Sequence, residues 1–361
     1  MQTENVKAMP ETEPLIFDGH NDVLSKLYQE DGLRSKLFRD GNASAIDLPK
    51  ARIGGFGGGF FAAWVPSPNE SRTMFDKMTQ STYNLPLSDP IEQEVALKYV
   101  IQQTALLIEL EAHKILQIVR TVSDIKQCFK TGRLAAIFHL EGAEAIDADL
   151  KTLDTLNAVG LRSIGPVWSR PNIFGHGVLF RFPSTPDTGP GLTDLGKQLV
   201  RRCNALHIML DVSHLNERGF WDVANLSNAP LVASHSNAHR LCPHSRNLTD
   251  DQLRAIAQSD GLVGLNFAVA FLRSDGKMID DVPVTRLLIH LDYLIDILGE
   301  DHVALGSDYN GAMVPAELTT VANLPRLRDA MSNHGYQPER IKKLCHENWL
   351  RVLEKTWHND S

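Results

Sequence analysis

Eight short apolar runs, most of them followed by a stretch with helical periodicity, constrain this chain more than any other feature of its sequence. They are PLIFDGH (14–20), IGGFGGGFFAAWV (53–65), LAAIFHLEG (134–142), LRSIGPVW (161–168), HIMLDVSH (207–214), APLVASH (229–235), GLVGLNF (261–267) and HVALGSD (302–308). β-branched and aromatic residues, with turn residues or polar side chains at the ends, mark such runs as strands. Helical spacing follows over 91–119, 149–160 and 284–299, the first for about eight turns. Eight strands alternating with helices over 361 residues predict an α/β fold, a (β/α)8 barrel of the TIM type. A doubly wound sheet with an insertion is the next architecture in line. No repeat or Pro/Ser-rich linker divides the chain, so the expectation is a loose arm over 1–13 and one barrel domain over 14–361. Two segments, 66–90 and 169–191, are long for barrel loops, and loops of that length serve more often as lids or substrate walls than as filler.

The balance of 36 basic against 44 acidic residues, a net charge of −8, argues against a broad nucleic-acid surface or a polybasic membrane patch. The polar N-terminus lacks a signal pattern, and no apolar run reaches the ~18 residues of a membrane helix. A cytoplasmic protein with reduced thiols is the expectation. Cys128, Cys203, Cys242 and Cys345 form no CxxC pair, whereas the chain carries 14 His. Any metal would be held by imidazoles and carboxylates.

Barrel enzymes place their chemistry at the C-terminal ends of the strands. The first strand ends in FDGHND, and the spacing puts His20 and Asp22 on one face. The third ends in HLEG, so His139 and Glu141 share a face as well. The fifth and sixth end in His214 and His235, and the eighth delivers Asp308 in GSDYNG. A lone histidine is usually structural. Five strands each bringing a histidine or carboxylate to one rim point instead to a shared metal centre. Even three His and two carboxylates of this group exceed the three protein ligands of a single catalytic zinc, which favours two ions with a carboxylate bridge, a device for activating water against an amide or ester. Spacing alone leaves His139 open between ligand and supporting partner.

Beyond the sixth strand, His239, Arg240, His244 and Arg246 lie near this rim, and either arginine could grip a substrate carboxylate in bidentate fashion. Thr249 reads as the N-cap of the helix that follows. The cluster GGFGGGFFA (54–62) contains GxGxxA but continues as strand and then proline, so it reads as tight strand packing rather than a dinucleotide fingerprint. No Walker loop, GxSxG elbow or HExxH helix occurs.

Jointly, FDGHND, HLEG, DVSH and ASHS with their histidines 21 positions apart, SRN eleven residues beyond the second of these, and GSDYNG resemble the renal (membrane) dipeptidase family. These are metal-dependent dipeptidases on an amidohydrolase-like barrel. The likeness runs from about residue 14 to ENWLRVLEK near 355, and RPN with STPDTGPGLTD looks like the bacterial branch. The resemblance implies two Zn2+ ions, one held by His20 and Asp22, the other by His214 and His235, with Glu141 bridging. It implies that Arg246 rather than Arg240 grips the substrate carboxylate, that Asp308 is the acid/base, and that His139 is no ligand. The implied activity is hydrolysis of small dipeptides with a free C-terminal carboxylate through a metal-bridging hydroxide, with tolerance of a D-residue at the C-terminal position. The resemblance also allows a homodimer, although no interface is marked in the sequence.

One position departs from the family. Its dipeptidases usually carry a histidine at the tip of strand four, where it polarises the scissile carbonyl, and here Trp168 stands in that place. An indole donates only through its N–H and carries no positive charge. His176 is a candidate for compensating it. Two alternatives therefore stay open: a binuclear-metal hydrolase of a non-peptide amide, ester or lactone with Trp168 stacked on the substrate, and a metal-binding homologue that has lost turnover.

Overall fold

The computed structural model describes residues 13–30, 32–67 and 76–357. The expected arm therefore lies outside the described residues except for Glu13, as do residues 68–75 of the first long loop. The strands, in chain order, are β1 Ile16–Asn21, β2 Phe56–Trp64, β3 Tyr83–Asn84, β4 Leu116–Ile118, β5 Leu134–Glu141, β6 Leu161–Gly165, β7 Arg181–Phe182, β8 Met209–Leu210, β9 Val232–Ser236, β10 Leu262–Asn266 and β11 Val303–Gly306. Each of the eight runs read as a strand contains one.

Two parallel sheets result. One runs β1-β2-β5-β6-β8, and β4 shares an edge of β5 with β6; the other runs β11-β10-β9. Single parallel bridges join them, Asn21 to Tyr309 on one side and Asp211 to Val232 on the other. Alternation along the strands divides the buried apolar side chains between two clusters. Phe17, Phe60, Ala135, Ile137, Val232 and Leu262 pack with Trp349 and Val352 of the C-terminal helix Asn348–Trp357. Ala136, Phe138 and Leu140 of the same β5 face the other way, into the cluster shared with the surrounding helices. The face of β5 carrying Ala135 and Ile137 is thus the one that carries His139 and Glu141 two and four residues on.

The glycine cluster does what close packing requires. Gly58 has φ +129°, and a Cβ on Gly58 or Gly59 would run into the backbone of Ala135 or of Asp18. Helix starts follow the sequence cues: Thr121 and Thr249 each complete a capping box, with Asp124 and Gln252.

Two local expectations need correction. The helix expected over 91–119 ends at Ala112, Lys114 adopts φ 58°, and Leu116–Ile118 then pairs with Leu134–Ala136 as β4. A buried ladder overrides helical spacing there, and Glu111 supports it by accepting the Ile118 N–H at 2.7 Å. β6 ends at Gly165 and β8 at Leu210, so Trp168 and His214 sit in the turns that follow rather than in the strands. The two long loops also hold structure of their own. β3 and β7 pair antiparallel, Tyr83 with Phe182 and Asn84 with Arg181, so each loop braces the other.

Candidate metal centre

The rim residues converge. His20 Nε2 lies 3.3 Å from Asp22 Oδ2 and 3.6 Å from Glu141 Oε2. The other carboxylate oxygen, Glu141 Oε1, lies 3.0 Å from His214 Nε2 and 3.8 Å from His235 Nε2. The two imidazole Nε2 atoms are 3.1 Å apart, and the His20 ring stacks on that of His235 at 3.9 Å. Donor atoms of His20, Asp22 and Asp308 form one group within 4.8 Å of one another, and those of His20, Glu141 and His235 another. All are buried, except that Asp308 retains 9% exposure towards the cavity.

Backbone geometry sets these side chains. Asp308 adopts φ 62°, its N–H bonds to His20 O, and a Cβ on Gly311 would collide with the carboxylates of Asp22 and Asp308. β1 and the end of β11 are thereby tied together at the rim. Asn266, at the tip of β10, donates to Asp308 Oδ2 at 3.0 Å and to His235 O at 3.3 Å. Sequence reasoning left that strand without a contribution, and its one signal was a polar amide at the tip of GLVGLNF.

The electrostatics favour neutral imidazoles at two of the three histidines. Burial, reinforced by Arg246 and His20, pushes His214 and His235 well below the ordinary histidine range. At His20 burial opposes charge, but Glu141 and Asp22 outweigh it and hold the ring well above that range. Burial raises Glu141 to about 7 against the pull of His20, and burial also raises Asp308. Two neutral imidazoles and three carboxylates face one another with few hydrogen-bond donors between them. Both ring nitrogens of His20 and Oδ1 of Asp22 are buried without a hydrogen-bond partner. Buried polar atoms left this way lack a partner, and a divalent cation suits the set in donor type and number once it displaces the proton that Glu141 and Asp22 hold on His20.

His139 sits behind this group. Its Nδ1 meets Ser163 Oγ at 2.8 Å and its Nε2 lies 3.7 Å from Asp211 Oδ2, while burial lowers its pKa to about 3. Arg246 is buried, and it donates from Nη1 to Ser236 Oγ and from Nη2 to His235 O, both at 3.0 Å. Arg240 is exposed. His244 accepts the Arg246 N–H through Nδ1, and His239 bonds to Ser184 O. His176 is not among the residues lining the cavity over the rim.

That cavity measures about 620 Å3, and its lining includes Asp22, Glu141, Trp168, His214 and Asp308. Trp168 packs edge-on against Trp64 with ring centres 5.4 Å apart, and it tilts over His214 at 5.9 Å. Behind it Arg170 is fully buried. Its guanidinium donates to Glu144 at 2.9 Å, to Ser67 Oγ and to Val65 O, and its Cζ lies 5.3 Å from the centre of the Trp168 ring.

Imidazoles and carboxylates gathered at the strand ends of a parallel strand-and-helix fold define a metallohydrolase. The chain belongs to the membrane dipeptidase family (Peptidase family M19), whose sequence profile matches residues 4–360. It is 51% identical over 258 residues to a protein from the pqqA 5′ region of Klebsiella pneumoniae, covering 71% of this chain and 95% of that protein. A crystal structure of a metallopeptidase from Rhodobacter sphaeroides, liganded with a phosphinate mimic of the dipeptide L-Ala-D-Ala, is 49% identical. It superposes with a TM-score of 0.94, covering 96% of this chain and all of that one. The probable dipeptidase PvdM of Pseudomonas aeruginosa shares the fold at 22% identity and a TM-score of 0.79, with 96% of each chain covered. Among the described residues no helix is long and apolar enough to cross a membrane.

Proposed function

We propose that this peptidase is a two-zinc dipeptidase in which His20 and Asp22 hold one ion, His214 and His235 the other, and Glu141 bridges them. The observation that carries this reading is the division of the Glu141 carboxylate: Oε2 faces His20, and Oε1 faces the His214–His235 pair. Bound at this rim, two such ions would supply Lewis acidity and a water acidic enough to lose its proton near neutral pH. The chain's own residues do the rest. Arg246 takes the C-terminal carboxylate of the dipeptide, which sets the scissile bond one residue away. Asp308 receives the water proton and returns it to the leaving amine, and Asn266 steers its carboxylate by holding one oxygen. Met78 and Phe180, one from each long loop, wall the cavity against longer chains. A D-residue at the C-terminal position is accepted, a reading supported by the ligand of the Rhodobacter sphaeroides relative.

The same reading takes residues 14–361 as one catalytic domain, its two sheets closing through the Asn21–Tyr309 and Asp211–Val232 bridges into a (β/α)8 barrel. Metal analysis of the purified protein, with hydrolysis of L-Xaa-L-Xaa and L-Xaa-D-Xaa dipeptides, tests it. Two equivalents of zinc and cleavage of dipeptides but not tripeptides are expected. A protein that binds no zinc, or that cleaves nothing once loaded, would overturn it.

A further inference from the structure

A row of aromatic rings crosses the cavity. Trp168, tilted over His214, meets Phe180 at 6.0 Å between centres, and Phe180 stacks on Phe271 at 6.1 Å and 10°. The guanidinium of Arg246 lies 5.8 Å from the centre of the Phe271 ring. The row therefore begins beside a candidate metal ligand and ends beside the candidate carboxylate grip. With the carboxylate at Arg246 and the scissile amide at the rim, the proposed orientation would lay the C-terminal residue of a dipeptide along this row.

Charge is scarce along this wall. Among the described lining residues the carboxylates of Asp22, Glu141 and Asp308 belong to the rim. Apart from the buried Arg246 beside Phe271, which is not itself a lining residue, the one cation among the described lining residues is Lys26, at the half-exposed mouth and 3.5 Å from Glu30. Arg170 and Glu144, directly behind Trp168, are paired with each other. An ionised side chain laid against Phe180 and Phe271 would lose its water and gain no partner, a large penalty, whereas an apolar one would gain contact area. Met78, Met278 and Met313 also line the cavity, and their flexible thioethers adapt to side chains of different shape.

We infer that the C-terminal residue of the substrate carries an apolar side chain that packs on Trp168, Phe180 and Phe271, so that this chain selects dipeptides with aliphatic or aromatic residues at that position. The inference rests on the orientation given by the proposed Arg246 grip. Its test uses the zinc-loaded full chain and Ala-Xaa dipeptides, with Xaa as Leu, Phe, Asp or Lys in both configurations. Both kcat/KM and calorimetric affinity are read, so that recognition is measured apart from turnover. Leu and Phe are expected to exceed Asp and Lys by about tenfold or more in the configuration the enzyme accepts. Phe271→Leu, and separately Phe180→Ala, are expected to narrow the preference for Phe by at least about threefold while circular dichroism shows an intact fold. Apolar preference in binding without cleavage would refute hydrolysis and sustain the wall. Cleavage with equal or higher kcat/KM for Asp or Lys would refute the wall and sustain the dipeptidase. Absence of both binding and cleavage would overturn both.

Discussion

The Nδ1 of His235 lies 2.7 Å from the hydroxyl oxygen of Ser234, and the single proton of that hydroxyl goes to Asp211 Oδ2. The oxygen can then only accept, so Nδ1 of His235 must carry the ring proton and Nε2 must present its lone pair to the rim. Asp211 is fixed in turn: its Oδ1 accepts from the Ser213 N–H and hydroxyl and from the Ser234 N–H. Ser169 Oγ meets His214 Nδ1 at 3.0 Å in the corresponding position.

On the proposed two-ion reading, Ser234→Ala should therefore weaken one ion by about 10–100-fold and leave the other near its wild-type affinity. Chelator competition, followed ion by ion, measures this, and Asp211→Asn should shift the same ion. Two unchanged affinities in folded protein would show that the serine has no part in orienting the imidazole.

Arg246→Lys keeps a cation but removes the planar fork. The kcat/KM for dipeptides with a free carboxylate should fall by about 100-fold or more, chiefly through KM. For the matching dipeptide amides the ratio of wild type to variant should be much smaller. Equal losses on acid and amide would assign Arg246 to support of His235 O alone.

The Arg170–Glu144 pair is fully buried, and each partner leaves an uncompensated charge if the other is removed. Arg170→Met or Glu144→Leu alone should cost about 3–5 kcal/mol in denaturant unfolding, and the double variant should lose less than either single. Simple additivity in that cycle would rule out the coupling.

His290 is buried on the helix Thr285–Leu298, its Nε2 is 3.0 Å from Leu272 O, and burial pushes its pKa down to about 3. An unfolded histidine takes a proton near 6.5. The native state resists that proton, so its contribution is complete above about 6.5 and is lost as pH falls towards 3, at about 1.4 kcal/mol per pH unit. His290→Gln, which can still donate to Leu272 O, should make the stability curve over this window shallower by about one proton. A curve unchanged in slope would contradict the burial argument.

Most of the strand framework could be read in the sequence because each strand is an apolar run ending in a turn or a polar tip. Glu141 could be placed beside His139 because period-two spacing puts both on one face, and the structure shows which face that is. β4 was not legible: ILQIV continues a helical stripe, and only its pairing with β5 makes it a strand. Nor was the Arg170–Glu144 pair, since 26 residues separate partners that meet through two turns. The amide of Asn266 at a strand tip is a weak signal by itself, and gains meaning only from its hydrogen bond to Asp308.

The short ladder between Tyr83–Asn84 and Arg181–Phe182 has a bearing on how selectivity could diverge among relatives. Tyr83, Phe182 and Phe271 share one small apolar cluster, with Phe180 and Met278 packed against it. The cavity's outer wall is therefore a single mechanical piece assembled from distant parts of the chain. Enlarging the side chain at one of these positions must displace its partners in the others. New substrate preferences at this wall would be reached by coordinated changes in several segments, and single replacements there would tend to loosen selectivity before redirecting it.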